Sequence, residues 1–178
     1  MEVDRKKLYT IQMRGHKDYI SGIILKIGKE WILLNYIPVD YVFDGYILIR
    51  TKYINNIIRE DNEVFRETVV SLKETSNESV QMNFDLESVD NLFQIFMDEN
   101  TVIQFDFHDD TVCYLGRIIK LLKKSFQVKV MDTKGNWAEK SSYIIDRIRT
   151  IRFDNDYINS LVNYNKWLVN SSSAPSLP

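Results

Sequence analysis

Tyr19-Ile20-Ser21-Gly22-Ile23-Ile24-Leu25-Lys26-Ile27 lies over Cys113-Tyr114-Leu115-Gly116-Arg117-Ile118-Ile119-Lys120-Leu121. Gly22 meets Gly116, Ile24 meets Ile118 and Lys26 meets Lys120. The likeness extends upstream: Ile11-Gln12-Met13-Arg14-Gly15-His16-Lys17-Asp18 matches Ile103-Gln104-Phe105-Asp106-Phe107-His108-Asp109-Asp110 at Ile, Gln, His and Asp. It also extends downstream, where Ile54 and Ile57 match Ile148 and Ile151. The spacing is 92 to 94 residues. Two copies at so long a period indicate a duplicated domain rather than a solenoid.

Within each copy the β-branched and aromatic residues form five short, closely spaced runs. In the first copy they are 8–13, 19–27, 31–37, 46–50 and 53–58. In the second they are 102–107, 114–122, 126–131, 142–146 and 148–153. Asp44-Gly45 is a hairpin signal, because both residue types accept positive φ. Lys134-Gly135-Asn136 marks a turn in the second copy. Five strands this short bury little as an open sheet, so each copy is expected to close into a small, strongly bent barrel. Val89, Leu92, Phe93 and Phe96 fall at helical spacing, with Asp85 or Ser88 as cap. Two more helices are expected, lined by Phe65, Val69 and Leu72, and by Ile158, Leu161, Tyr164 and Leu168. The reading is therefore mainly β. A first barrel with trailing helix occupies 1–73, a polar linker 74–84, a second barrel with leading and trailing helices 85–170, and a disordered tail 171–178.

Of the 178 residues, 44% are hydrophobic and 27% charged, a globular composition. Lys and Arg number 23 against 25 Asp and Glu, a net charge of -2 that argues against a broadly basic nucleic-acid binder. The single cysteine, Cys113, excludes an intrachain disulfide and suits a reducing, cytoplasmic setting. The start, Met1-Glu2-Val3-Asp4-Arg5-Lys6-Lys7, is not followed by the apolar core of a signal peptide. No apolar run approaches the roughly 20 residues of a spanning helix.

A helix followed by five bent strands, with Gly in the second strand, resembles the Sm-like and SH3-like small barrels. The likeness covers Asp85 to Phe153 best, and Leu8 to Arg59 without the leading helix. Gly22 and Gly116 fit the family's second-strand Gly. The family's RNA-binding Asp falls near Gly28 and Leu122, and its Asn near Ile32 and Phe126, so those types are missing here. The later Arg-Gly signature is only partly matched, as Ile49-Arg50-Thr51 and Ile145-Asp146-Arg147. The Asp44-Gly45-Tyr46 hairpin is similar to that of bacterial proteins with tandem small barrels. The resemblance implies a fold; it does not carry function.

Three sites are worth placing. Tyr41, Phe43 and Trp137 sit in corresponding turns, where aromatics either anchor a protein partner or pack between the copies. Lys120, Lys123, Lys124, Arg147 and Arg149, with Phe126 or Trp137 for stacking, would form a single-strand nucleic-acid patch if their faces merge. Asp106, His108 and Asp110 fall at i, i+2 and i+4 of a strand, and would share an outer face that suits a divalent metal. A solvated strand end is the better account of that last set, and Arg14 at the equivalent place in the first copy would oppose a metal. Cys113 has no orienting group beyond His108, and no phosphate-binding Gly loop or Gly-x-Ser-x-Gly elbow occurs. The expected function is a non-catalytic binding or adaptor module acting through protein contacts, with no cofactor. The alternative is an Sm-like RNA or single-stranded nucleic-acid binder.

Overall fold

The computed structural model describes residues 3–73, 84–107 and 111–172. The expected linker over 74–83 and the tail from 173 on lie outside them. The first half contains β1 (Leu8–Met13), β2 (Ile20–Ile27), β3 (Trp31–Tyr36), β4 (Tyr46–Arg50), β5 (Ile54–Ile58) and α1 (Asp61–Ser71). The second contains α2 (Val89–Asp98), β6 (Val102–Asp106), β7 (Cys113–Leu121), β8 (Ser125–Met131), β9 (Trp137–Ile144), β10 (Thr150–Phe153) and α3 (Asp156–Ser172).

The strands run in the order β5-β1-β2-β3-β4-β10-β6-β7-β8-β9, every neighbour antiparallel. Both halves thus repeat one strand order, and they repeat its irregularities too. The register slips between Ile24 and Lys26, and again between Ile118 and Lys120. A 3-10 turn precedes the last strand in each half, at Thr51–Tyr53 and at Ile145–Arg147. A Cβ on Gly22 would overlap the Asn35 carbonyl, and one on Gly116 the Lys129 carbonyl. Both glycines are needed for close backbone approach at the same point of the strand.

The expected closure of each half into a barrel is not shown by this order. Among the described residues no pairing closes either half. The halves share one open ten-stranded sheet, joined where β10 pairs with β4 from Thr150↔Ile49 to Phe153↔Tyr46. Each half offers an edge of unpaired peptide groups, and the two edges satisfy one another. β3 and β4 are consequently covered on both faces. Trp31, Leu33 and Leu48 join the larger core, which holds Phe84, Phe93, Phe96, Phe105, Phe126 and Phe153. Ile32, Leu34, Ile47 and Ile49 join a second core with Tyr9, Ile11 and Ile24. Phe84, assigned by sequence to the linker, is 1% exposed inside the larger core.

Helix α2 forms as its apolar spacing predicts. Leu92, Phe93 and Phe96 are buried, and the Ser88 side chain accepts a hydrogen bond from the Asn91 amide. Helix α1 does not. Phe65 is 57% exposed and Leu72 78% exposed, while Glu63 and Val70 face the sheet. The Glu67 carboxylate accepts from the Leu8 amide at 2.7 Å and from both Arg59 nitrogens at 2.9 and 3.3 Å. Glu63 accepts from the Thr10 hydroxyl at 2.9 Å and, in a capping box, from the Glu60 amide at 3.0 Å. The partly covered edge of β1 and the Arg59 charge call for acceptors, and that need outweighs an apolar stripe.

Partial burial alone would raise the pKa of Glu67, but the Leu8 amide and Arg59 outweigh it and hold the carboxyl below its ordinary value. Glu63 is lowered in the same way, against its own desolvation, by the Glu60 amide and the Thr10 hydroxyl. Folded-state pKa values below the unfolded ones mean that the folded chain binds these protons less readily. The stabilisation is complete above the ordinary Glu value of about 4.3 and is lost as pH falls through the lowered values. Glu67→Gln is expected to cost about 1.5–3 kcal/mol at neutral pH and to flatten the acid limb of stability. Urea titrations of both proteins across pH 3 to 7 read this out; parallel pH curves would contradict it.

Candidate functional site: the cleft beneath the last helix

The β8–β9 turn is built by one side chain. Asp132 accepts from the amides of Lys134 and Asn136, each at 2.8 Å, and from the Asn136 side chain at 3.2 Å. These bonds, led by the Asn136 amide, hold the exposed Asp132 carboxyl below its usual pKa. Gly135 takes φ +77°, and the turn lies against Leu161 and Tyr164 of α3. The chain thereby enters β9 with Trp137 directed under the helix, where its indole N–H donates to Asn165 Oδ1 at 3.1 Å.

Arg117 on β7 and Lys129 on β8 are register partners, so both side chains leave the same face of the sheet. That face also carries Trp137: the Arg117 guanidinium lies 4.8 Å and the Lys129 ammonium 5.5 Å from its ring centroid. Helix α3 crosses the face. Ile158 packs on Val102, Leu115 and Met131, with Leu161 and Val162 beside it. Farther along, the helix lifts and leaves a cleft of about 380 Å³. Its sheet wall is Arg117, Met131 and Trp137. Its helix wall is Val162, Asn165, Lys166, Val169 and Asn170, one stripe at helical spacing. On the outer side of the same helix Tyr164 is 47% and Trp167 60% exposed, their rings stacked at 5.8 Å.

The expected site residues fall in separate places. Trp137 lies in the cleft. Tyr41 and Phe43 pack on the cluster of Leu8, Ile37 and Val70, and Tyr41 meets Phe65 edge-on at 6.4 Å. These three aromatics do not pack between the copies, because each turn has a trailing helix of its own half to lie against. Lys123 and Lys124 sit in the β7–β8 turn, at the opposite end of β8 from Trp137. The Ile145 amide donates to the Lys124 carbonyl at 3.1 Å, which brings Arg147 to the same end. Lys120 is exposed near that end of β7. Arg149 instead donates to the Arg14 carbonyl and covers the Tyr53 ring at 4.7 Å, bridging the halves. Phe126 is 0% exposed and has no free face for stacking.

Asp106 does not share an outer face. Its side chain is 1% exposed and accepts from the Thr150 hydroxyl, with Oδ1 3.4 Å from Nε2 of the equally buried His16. His108 and Asp110 lie outside the described residues. Among the described residues no group of three His, Cys, Asp or Glu side chains converges as a metal site, and no helix is long and apolar enough to cross a membrane. The free Cys113 is exposed.

The chain matches no family model, no curated protein and no solved structure.

Of the residues lining this cleft the sequence singles out Trp137 alone, and as a turn residue rather than the first residue of β9. The signal for the rest was Arg117 and Lys129, two cations placed opposite each other on neighbouring strands, and a helix stripe that mixes Val with Asn and Lys. Neither is read as a site until the helix is known to cross that face.

Proposed function

We propose that the protein is a non-catalytic binding module, working in the cytoplasm, whose partner is another protein that docks on the outer side of α3 and the cleft beside it. The scaffold in this reading is a tandem pair of Sm-like or SH3-like units fused through β4 and β10. The carrying observation is the solvent-facing stack of Tyr164 and Trp167 on the outer side of α3, with a cleft containing Trp137 on the helix's other side. Tyr and Trp are the residues that most often anchor protein interfaces, and two exposed rings on one helix face offer such an anchor.

The nucleic-acid alternative has one observation in its favour, the convergence of Lys123, Lys124 and Arg147 at one end of the second half. It ranks lower because Asp146 stands among these cations and pairs with Lys52 and Arg50, and because Phe126 is buried. One paired experiment separates the two. Wild type, the double variant Tyr164→Ala/Trp167→Ala and the triple variant Lys123→Glu/Lys124→Glu/Arg147→Glu are used to capture partners from native extract, and protein and RNA are quantified in each eluate. Whatever is enriched is purified and titrated back. The expected result is a protein whose affinity falls at least tenfold in the aromatic variant and is unchanged in the charge variant. RNA retained by wild type and lost only from the charge variant would reverse the ranking.

A further inference from the structure

Arg117 is a cation whose surroundings among the described residues are incomplete. Its Nε is buried with no hydrogen-bond partner, and among the described residues no carboxylate pairs with Arg117, Lys129 or Lys166. Desolvation pushes the guanidinium below the ordinary Arg pKa. A half-dehydrated cation without a counter-charge is costly, and stacking on Trp137 offsets only part of that cost. The cleft in front of it is open, and among the described residues no acidic one lines it. Lys166 adds a second charge at its rim, and Asn170 adds an amide. The remaining surface is apolar: Met131, Val162 and Val169. Donors in excess over apolar walls define a complementary guest, an anion attached to an apolar body. At about 380 Å³ the space is at the small end of ligand pockets and suits one or two side chains rather than a folded element.

We propose that the cleft receives an acidic residue flanked by an aliphatic or aromatic one on the partner protein, with the carboxylate taken by Arg117 and the apolar group laid between Trp137 and α3. This rests on the reading of the α3 face as the docking surface and names what the partner presents there. A planar guanidinium holds a carboxylate through two parallel hydrogen bonds, which a lysine in its place cannot reproduce.

The test is a selection of random peptides displayed against the immobilised full chain, followed by calorimetric titration of the selected peptides. Four variants are compared with wild type: Arg117→Met, Arg117→Lys, Lys166→Glu and Trp167→Ala. The expected result is enrichment of Asp or Glu next to an apolar residue. Affinity should fall at least tenfold in Arg117→Met and less in Arg117→Lys, and it should weaken with salt. Thermal unfolding shows whether Arg117→Met is folded; Lys166→Glu, on an exposed helix position, should also weaken binding and carries the test if it is not. Selected peptides that need Trp167 but lack an acidic residue, or that bind Arg117→Met as well as wild type, would overturn this inference and leave the docking surface standing. Peptides indifferent to both Trp167 and Arg117, or no selected peptide at all, would remove both readings.

Discussion

Phe153→Ala is expected to destabilise the protein by about 3–5 kcal/mol, the usual cost of emptying an aromatic site in a core. Phe153 lies at the joint itself. Its backbone pairs with Tyr46 of β4 on one side and Ile103 of β6 on the other. Its ring lies 5.3 Å from Phe84 and from Phe96, and 5.4 Å from Tyr46. One truncation therefore loosens the first half, the connecting segment and α2 together. Against a total stability of about 5–15 kcal/mol, such a loss leaves a visibly unfolded fraction under mild denaturant. Leu72→Ala, 78% exposed just after α1, is the control and should change stability by no more than about 0.5 kcal/mol. Urea unfolding of the two variants measures the contrast. Equal effects would mean that the halves do not share a core at β10.

Asp106→Ala is expected to cost a similar amount, about 3–5 kcal/mol, for an electrostatic reason. The Asp106 carboxylate sits where the second half meets the first. It accepts from Thr150, has Arg152 at 3.8 Å, and faces His16 from the β1–β2 turn. Removal of the carboxylate strands these polar groups in a buried joint, and the loss of a partner costs more than the pair itself contributes. Replacement of both ends by apolar residues should recover part of the loss: His16→Leu/Asp106→Leu is expected to be less destabilised than the two single changes added together. A double-mutant cycle in urea gives the coupling directly. Strict additivity would show that His16 and Asp106 do not act on one another.

These two sites mark how far a sequence reading reaches. The repeat was legible because Gly22 and Gly116 solve the same close-packing problem and cannot drift to another residue type. The Asp44-Gly45 turn and the α2 stripe were legible because they depend on φ and on helical spacing, both local properties. Asp106 was misread although its alternation with Phe105 was correct. A period of two separates the faces of a strand but does not say which is wet, and the outside of the second half is here the inside of the joint. Helix α1 was misread because its side chains answer to Leu8 and Arg59, which lie far away in the chain.

By itself the sequence determined that one five-stranded pattern is written twice and where most of its elements lie, since backbone geometry and burial period impose these locally; the strand expected over 142–146 instead runs Trp137–Ile144. Only the tertiary structure decided that β4 and β10 join the halves into one sheet, and that α3 lifts from β7–β9 to leave Arg117 and Trp137 facing a cleft. Edge pairing uses peptide groups that every residue carries, and a cleft is a distance between elements; neither has a side-chain signature.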